Sequence, residues 1–204
     1  MYSENLLPVF NRRFHGAVNI RGIDFQILYS LYCSLEILEP NSPFEKITLE
    51  GIEDFDLIPF HSDNIYFQVK TSSGDWTFSD LANPIKNFIQ LNKESSEPHK
   101  FQLILNFEPR ESIRKLFELD SISETERLKL KKAFISQKEI KNIPENEILD
   151  VLANCQVKHI NRESLESAIK QKLVLVYGIF PETADLLLLS FAYQFIEWAI
   201  ERKP

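Results

Sequence analysis

The stretch that most constrains this chain is residues 47–70, ITLEGIEDFDLIPFHSDNIYFQVK. It reads as three short strands in succession, 46–50, 55–60 and 65–70. The last two are joined by the turn-forming His61-Ser62-Asp63-Asn64 and read as a hairpin. Side chains of a strand alternate between the two faces of its sheet. In 65–70, Ile65, Phe67 and Val69 therefore form a core face, and Tyr66, Gln68 and Lys70 form the other. In 55–60, Asp56 shares a face with Ile58 and Phe60. Pairing of the two strands brings Asp56 near Gln68 and Lys70.

A carboxylate, an amide oxygen and a lysine on one rigid face are the parts of metal-assisted phosphodiester hydrolysis. The carboxylate holds a divalent cation, which polarises the phosphate and acidifies a bound water. The lysine orients that water or stabilises charge building on the phosphate. A strand holds it more firmly than a loop would. Gln68 offers a neutral oxygen ligand where many such sites use Glu. The same residues also read as a solvated turn, Glu53-Asp54-Phe55-Asp56, and a strand that ends in a surface lysine.

Around this stretch the pattern alternates between helix and strand. Residues 1–22 read as an irregular lead-in. Ile23, Ile27, Leu31, Leu35 and Leu38 then recur at helical spacing up to the stop signal Pro40-Asn41-Ser42-Pro43. A helix capped by Ser79 or Asp80 is expected to run to Leu91, perturbed by Pro84, and FQLILNF at 101–107 reads as a buried strand. After Pro109 the chain reads as mostly helical, at 111–135, 145–155, 162–175 and from Pro181 to Arg202.

Composition narrows the function classes. Apolar residues make up 44% and 16 Phe are present, which excludes a disordered chain. Five Gly in all, with no G-x-x-x-x-G-K-[ST], argue against a phosphate-cradling loop. Two cysteines without a C-x-x-C argue against a disulfide scaffold or a cysteine zinc site and fit a reducing, cytoplasmic setting. His15, His61, His99 and His159 are too scattered for a zinc motif. No leader pattern opens the chain, and Leu186–Ile200 is interrupted by Ser190, Gln194 and Glu197, so no membrane association is expected. That helix reads as core or as a dimer face. Arg127, Lys129, Lys131 and Lys132 form a basic cluster, read as a solvated face or a phosphate contact, and Trp76 reads as a packing anchor or a base-stacking platform. The net charge of −7, with the acid excess before residue 100, is a poor match for nucleic acid on its own.

Four segments in this order carry a family resemblance: Arg21-Gly22-Ile23-Asp24-Phe25-Gln26, Glu50-Gly51-Ile52-Glu53-Asp54-Phe55-Asp56, Gln68-Val69-Lys70-Thr71 and Trp76-Thr77. Together they resemble the PD-(D/E)xK nuclease superfamily in its Mrr-like form, whose last motif is Q-x-K. They resemble more closely the double-stranded-DNA endonuclease domain of bacterial anti-phage effectors, found fused to SAVED sensor domains or STAND-type ATPases. The resemblance implies an α/β, restriction-endonuclease-like mixed sheet flanked by helices over residues 1–110. A mostly helical segment, 111–204, is expected to pack on it for interaction or dimerisation. It also implies a Mg²⁺- or Mn²⁺-dependent endonuclease acting on double-stranded DNA in the bacterial cytoplasm.

By the same resemblance, Asp56 is the metal-binding aspartate, Gln68 the acid-replacing glutamine and Lys70 the catalytic lysine, with the Val69 backbone carbonyl completing the metal set. Glu50 and Asp54 stand equally as second metal ligands or as surface carboxylates. Glu36 is a candidate helix-borne acid or an exposed helix residue, and Gln26 reads as a supporting residue. Without a sensor or ATPase of its own, the chain is expected to be part of a larger effector or to work with a partner defence protein or a second copy of itself. The alternative readings are a non-catalytic nuclease-fold subunit of a defence complex and an unrelated adaptor.

Overall fold

The computed structural model describes residues 20–49, 54–60, 63–72, 75–95 and 99–201. The described chain runs α1 (Ile20–Ile37), β1 (Phe44–Leu49), β2 (Phe55–Pro59), β3 (Asn64–Lys70), α2 (Phe78–Glu94), β4 (His99–Leu105), α3 (Glu111–Leu116), α4 (Glu124–Ile135), α5 (Glu145–Asn154), β5 (Cys155–His159), α6 (Arg162–Leu175) and α7 (Pro181–Glu201). The strands form one sheet in the order β1-β2-β3-β4-β5. The first three make an antiparallel meander, and β4 and β5 join in parallel. Parallel neighbours need long crossovers. Helix α2 supplies the one into β4, and α3 to α5 supply the one into β5.

Alternation along the strands splits the core in two. Tyr66, Phe101, Leu103, Leu105 and Cys155 pack under α2 to α5, against Leu81, Ile85, Phe88, Phe134 and Ile148. Their sequence neighbours Phe67, Val69 and Ile104 face the other way and pack with Phe55 and Leu57 under α1, α6 and α7. The result is a mixed α/β sheet with helices on both faces, as expected. Among the described residues, no helix is long and apolar enough to cross a membrane.

Three local expectations shift. The N-cap of α2 is Thr77, not Ser79 or Asp80: Asp80 is the third helical residue, whose carboxylate accepts from the Thr77 N–H at 2.8 Å while the Thr77 hydroxyl accepts from the Asp80 N–H. Residues 111–135 form two helices separated by a 3₁₀ turn, Leu119–Ser121, because Ser123 caps α4 afresh. The strand β5 falls where the sequence pattern predicts only helix and loop. It lies beyond residue 110 yet hydrogen-bonds along β4, pairing Phe101 with Cys155 and Leu105 with His159.

Candidate active site

The site is built on the β2–β3 pair. Asp56 lies directly opposite Tyr66, and Phe55 opposite Phe67. Residues opposed across an antiparallel pair share a face. Asp56 and Tyr66 therefore share theirs with Gln68 and Lys70, two and four residues along β3. On β4, Leu103 lies beside Gln68 and Leu105 beside Lys70. The sheet thus brings together the three residues expected to carry chemistry.

Two polar members of the row, Asp56 and Gln68, are buried. Asp56 is 0% exposed and Gln68 is 4% exposed. The Gln68 Oε1 has no hydrogen-bond donor among the described residues. A buried acceptor left so costs about 1–3 kcal/mol, so packing alone would favour an apolar side chain here. Lys70 is half-buried at the end of β3, where the face opens.

Asp54 has a role that residue type alone does not reveal. Its Oδ2 accepts from the Val69 N–H at 2.6 Å, and its main-chain carbonyl accepts from Gln26 Nε2 at 3.0 Å. One carboxylate oxygen of Asp54 thus serves as a rung between β2 and β3, and Gln26 ties α1 to the same point. A residue's N–H and C=O point to the same side of a strand. The Val69 carbonyl therefore faces the β2 side of β3. On the other side, Asn106, just past β4, bonds to Lys70 and Ser72 through its main chain and its amide.

One candidate, Glu36, is not brought to this row. Glu36 lies ten residues beyond Gln26, ~15 Å along α1 at 1.5 Å per residue, and α1 packs on the opposite face of the sheet. There it is hydrogen-bonded to Tyr32 and stands 3.8 Å from Lys172 of α6, which also pairs with Glu39. Glu50 lies outside the described residues, as do His15 and His61.

The other features read from the sequence fall elsewhere. Trp76 is buried in the core under α2, as a packing anchor. His99 lies tilted against Tyr66 and edge-on to Phe101, and meets Asn92 at 3.1 Å. His159 is exposed at the end of β5. Arg127 pairs with Asp120 and Lys131 with Glu145, whereas Lys129 and Lys132 are exposed.

The donor set suits a hard divalent cation. Asp56 brings a carboxylate, Gln68 an amide oxygen and Val69 a main-chain oxygen, the oxygen ligands that Mg²⁺ and Mn²⁺ take. The undonated Gln68 oxygen is the observation that fits such an ion. Among the described residues, no three His, Cys, Asp or Glu side chains converge as a metal site. An ion held here would draw on the amide and main-chain oxygens beside the Asp56 carboxylate.

A mixed five-stranded sheet flanked by helices, with an acid, an amide and a lysine on one face of its β2–β3 pair, has the architecture of a nuclease-like α/β fold. The chain belongs to the family described as Cap4, dsDNA endonuclease domain, which it matches over residues 16–188. Solved structures agree on the fold. A Moraxella osloensis Cap4 SAVED/CARF-domain containing receptor is 17% identical with a TM-score of 0.59, and the match covers 90% of this chain and 44% of that one. An Acinetobacter baumannii Cap4 SAVED/CARF-domain containing receptor is 18% identical, with a TM-score of 0.59 and coverage of 91% and 44%. The same receptor with the cyclic trinucleotide 2'3'3'-cAAA gives 19%, 0.58, 91% and 42%. This chain spans less than half the length of these proteins. No curated protein matches it.

Proposed function

We propose that this chain is a metal-dependent endonuclease that hydrolyses phosphodiester bonds of double-stranded DNA within an anti-phage defence effector of the bacterial cytoplasm. The observation that carries the reading is the one-face row of Asp56, Gln68 and Lys70, with the Gln68 oxygen buried and undonated among the described residues. Family membership supports the substrate class. Bound to Asp56, Gln68 and the Val69 carbonyl, Mg²⁺ or Mn²⁺ would supply Lewis-acid polarisation of the phosphate and a water of lowered pKa. Asp56 attracts the cation, and its burial fixes the carboxylate. Gln68 adds an oxygen without a second negative charge, which lessens repulsion of the phosphate. Lys70 donates to the phosphate oxygens, orients the attacking water and offsets the charge that grows in the transition state. Glu50 is the acidic residue left to complete the set.

An acidic chain grips DNA weakly alone. We therefore assign the grip to an assembly, with a second copy or a sensor or ATPase partner. The solved neighbours are SAVED/CARF-domain containing receptors, which supports a sensor, and the exposed Leu186, Leu189 and Tyr193 on α7 support an assembly role for residues 111–204.

Plasmid cleavage with Mg²⁺ or Mn²⁺ tests the reading. Nicking or linearisation by the wild type is expected, abolished by EDTA and by Lys70→Ala or Asp56→Ala. Cleavage that survives both substitutions would refute the site. A wild type silent with its partner present would leave a nuclease-fold subunit without catalysis.

A further inference from the structure

The strand β3 does not end where its main-chain ladder does. The Asn106 N–H donates to the Lys70 carbonyl at 3.3 Å. In a parallel ladder the next rung would run from the Ser72 N–H to the Asn106 main-chain carbonyl. The Asn106 side chain takes that place: its Oδ1 accepts from the Ser72 N–H at 2.8 Å, and its Nδ2 donates to the Ser72 carbonyl at 3.0 Å. On the β2 side, the Asp54 carboxylate holds the Val69 N–H. Lys70 is thus bracketed by two side-chain clamps, one from the residue before β2 and one from the residue after β4.

We infer that Asn106 is a positioning residue for Lys70. This rests on the nuclease reading above. A lysine has a flexible four-carbon stem, so the protein controls its ammonium chiefly through the backbone that carries it. At a strand end that backbone would fray into the loop after Lys70. The Asn106 amide extends the paired segment by two residues and keeps the Lys70 Cα–Cβ direction fixed on the Asp56–Gln68 face. A misplacement of about 1 Å at a catalytic group lowers turnover by roughly 100-fold. Removing the clamp is therefore expected to lower kcat and leave KM nearly unchanged, because DNA contacts made elsewhere persist.

The test uses the full chain as wild type, Asn106→Ala, Asn106→Leu and Lys70→Ala. Leu keeps the branched shape of Asn, somewhat larger and without its polar atoms, which guards against a fold lost to a cavity. Two readouts are taken: steady-state cleavage per folded molecule, and amide hydrogen exchange over residues 69–72. Both Asn106 variants are expected to lose roughly tenfold or more in kcat with KM within about twofold, and to exchange faster at Ser72. Unchanged exchange at Ser72 would overturn the clamp. So would wild-type kcat in both Asn106 variants beside an inactive Lys70→Ala. Cleavage undiminished in Lys70→Ala, or absent in the wild type, would instead sink the nuclease reading and this inference with it.

Discussion

The two faces of the β2–β3 pair are buried alike and put to opposite uses. On the α1 side, Phe55 and Phe67 oppose each other with ring centroids 4.4 Å apart, and Tyr29 of α1 closes over both at 5.9 and 6.1 Å. One residue to either side along the strands, on the α2 side, stand Asp56, Tyr66 and Gln68. Phe55 and Asp56 are both 0% exposed. Burial is therefore not what separates a stabilising face from a reactive one. On the aromatic face, removal from water is itself the gain. On the polar face it is a penalty, and its return is a dry setting in which charge–charge interactions are several times stronger than in water.

Breaking each face in turn separates the two uses. Asp56→Asn is expected to lower kcat by about 1,000-fold or more, the scale seen when charge-stabilising groups are removed from an active site, with little change in thermal midpoint. Cleavage and a melting curve on the same sample decide it, and a large fall in midpoint would mean that the polar face also holds the fold. Phe67→Ala should do the reverse. It is expected to cost about 3–5 kcal/mol, as large-to-small core changes do, and turnover per folded molecule should survive. Chemical denaturation measures the first and active-site titration the second.

What was legible in the sequence follows the same division. Strand alternation is strict, so the sequence alone places Gln68 and Lys70 on one face, with the apolar Phe67 and Val69 marking the other, whereas Asp56 joins them through the β2–β3 register. The strand β5 carries no such signal. Only Cys155 of its five residues is buried, while Gln156, Lys158 and His159 are exposed, so its apolar pattern is almost blank. The roles of Asp54 and Asn106 are hidden for a different reason. Each acts on a backbone amide far away in sequence, on β3 or just past it, and a residue type cannot say whether its oxygen will meet a metal or an N–H. Glu36 is equally ambiguous, because helical spacing places it on α1 without saying which side of the sheet α1 covers.

Gln68→Leu sharpens the comparison by turning one face toward the character of the other. The substitution replaces a buried amide, whose oxygen lacks a donor among the described residues, with an apolar side chain of similar size. Stability is expected to rise by up to ~1–3 kcal/mol, or a few degrees of midpoint in a chain this long, while cleavage is lost. A variant that gains stability and keeps its activity would remove Gln68 from the chemistry. A variant that loses stability would show that the amide is satisfied in the folded protein.

The smallest effect lies on the α1 face and appears only in alkali. Burial, then the charge and hydrogen bond of Glu36, push the Tyr32 phenol up from its ordinary value of 10.0 to about 12, and burial raises Tyr29 as well. For a raised pKa the sign is fixed. Below pH 10 both folded and unfolded phenols keep their protons, and the contribution is fully present. Between pH 10 and about 12 the unfolded chain ionises first and binds fewer protons, so stability falls as pH rises. Denaturation midpoints across that window should decline, and less steeply in Glu36→Gln, which removes the neighbouring charge. Cleavage at neutral pH should be unchanged in Glu36→Gln, because Glu36 stands across the sheet from Lys70. Loss of cleavage there would break the comparison itself, since the α1 face would then reach the chemistry that the register assigns to the other.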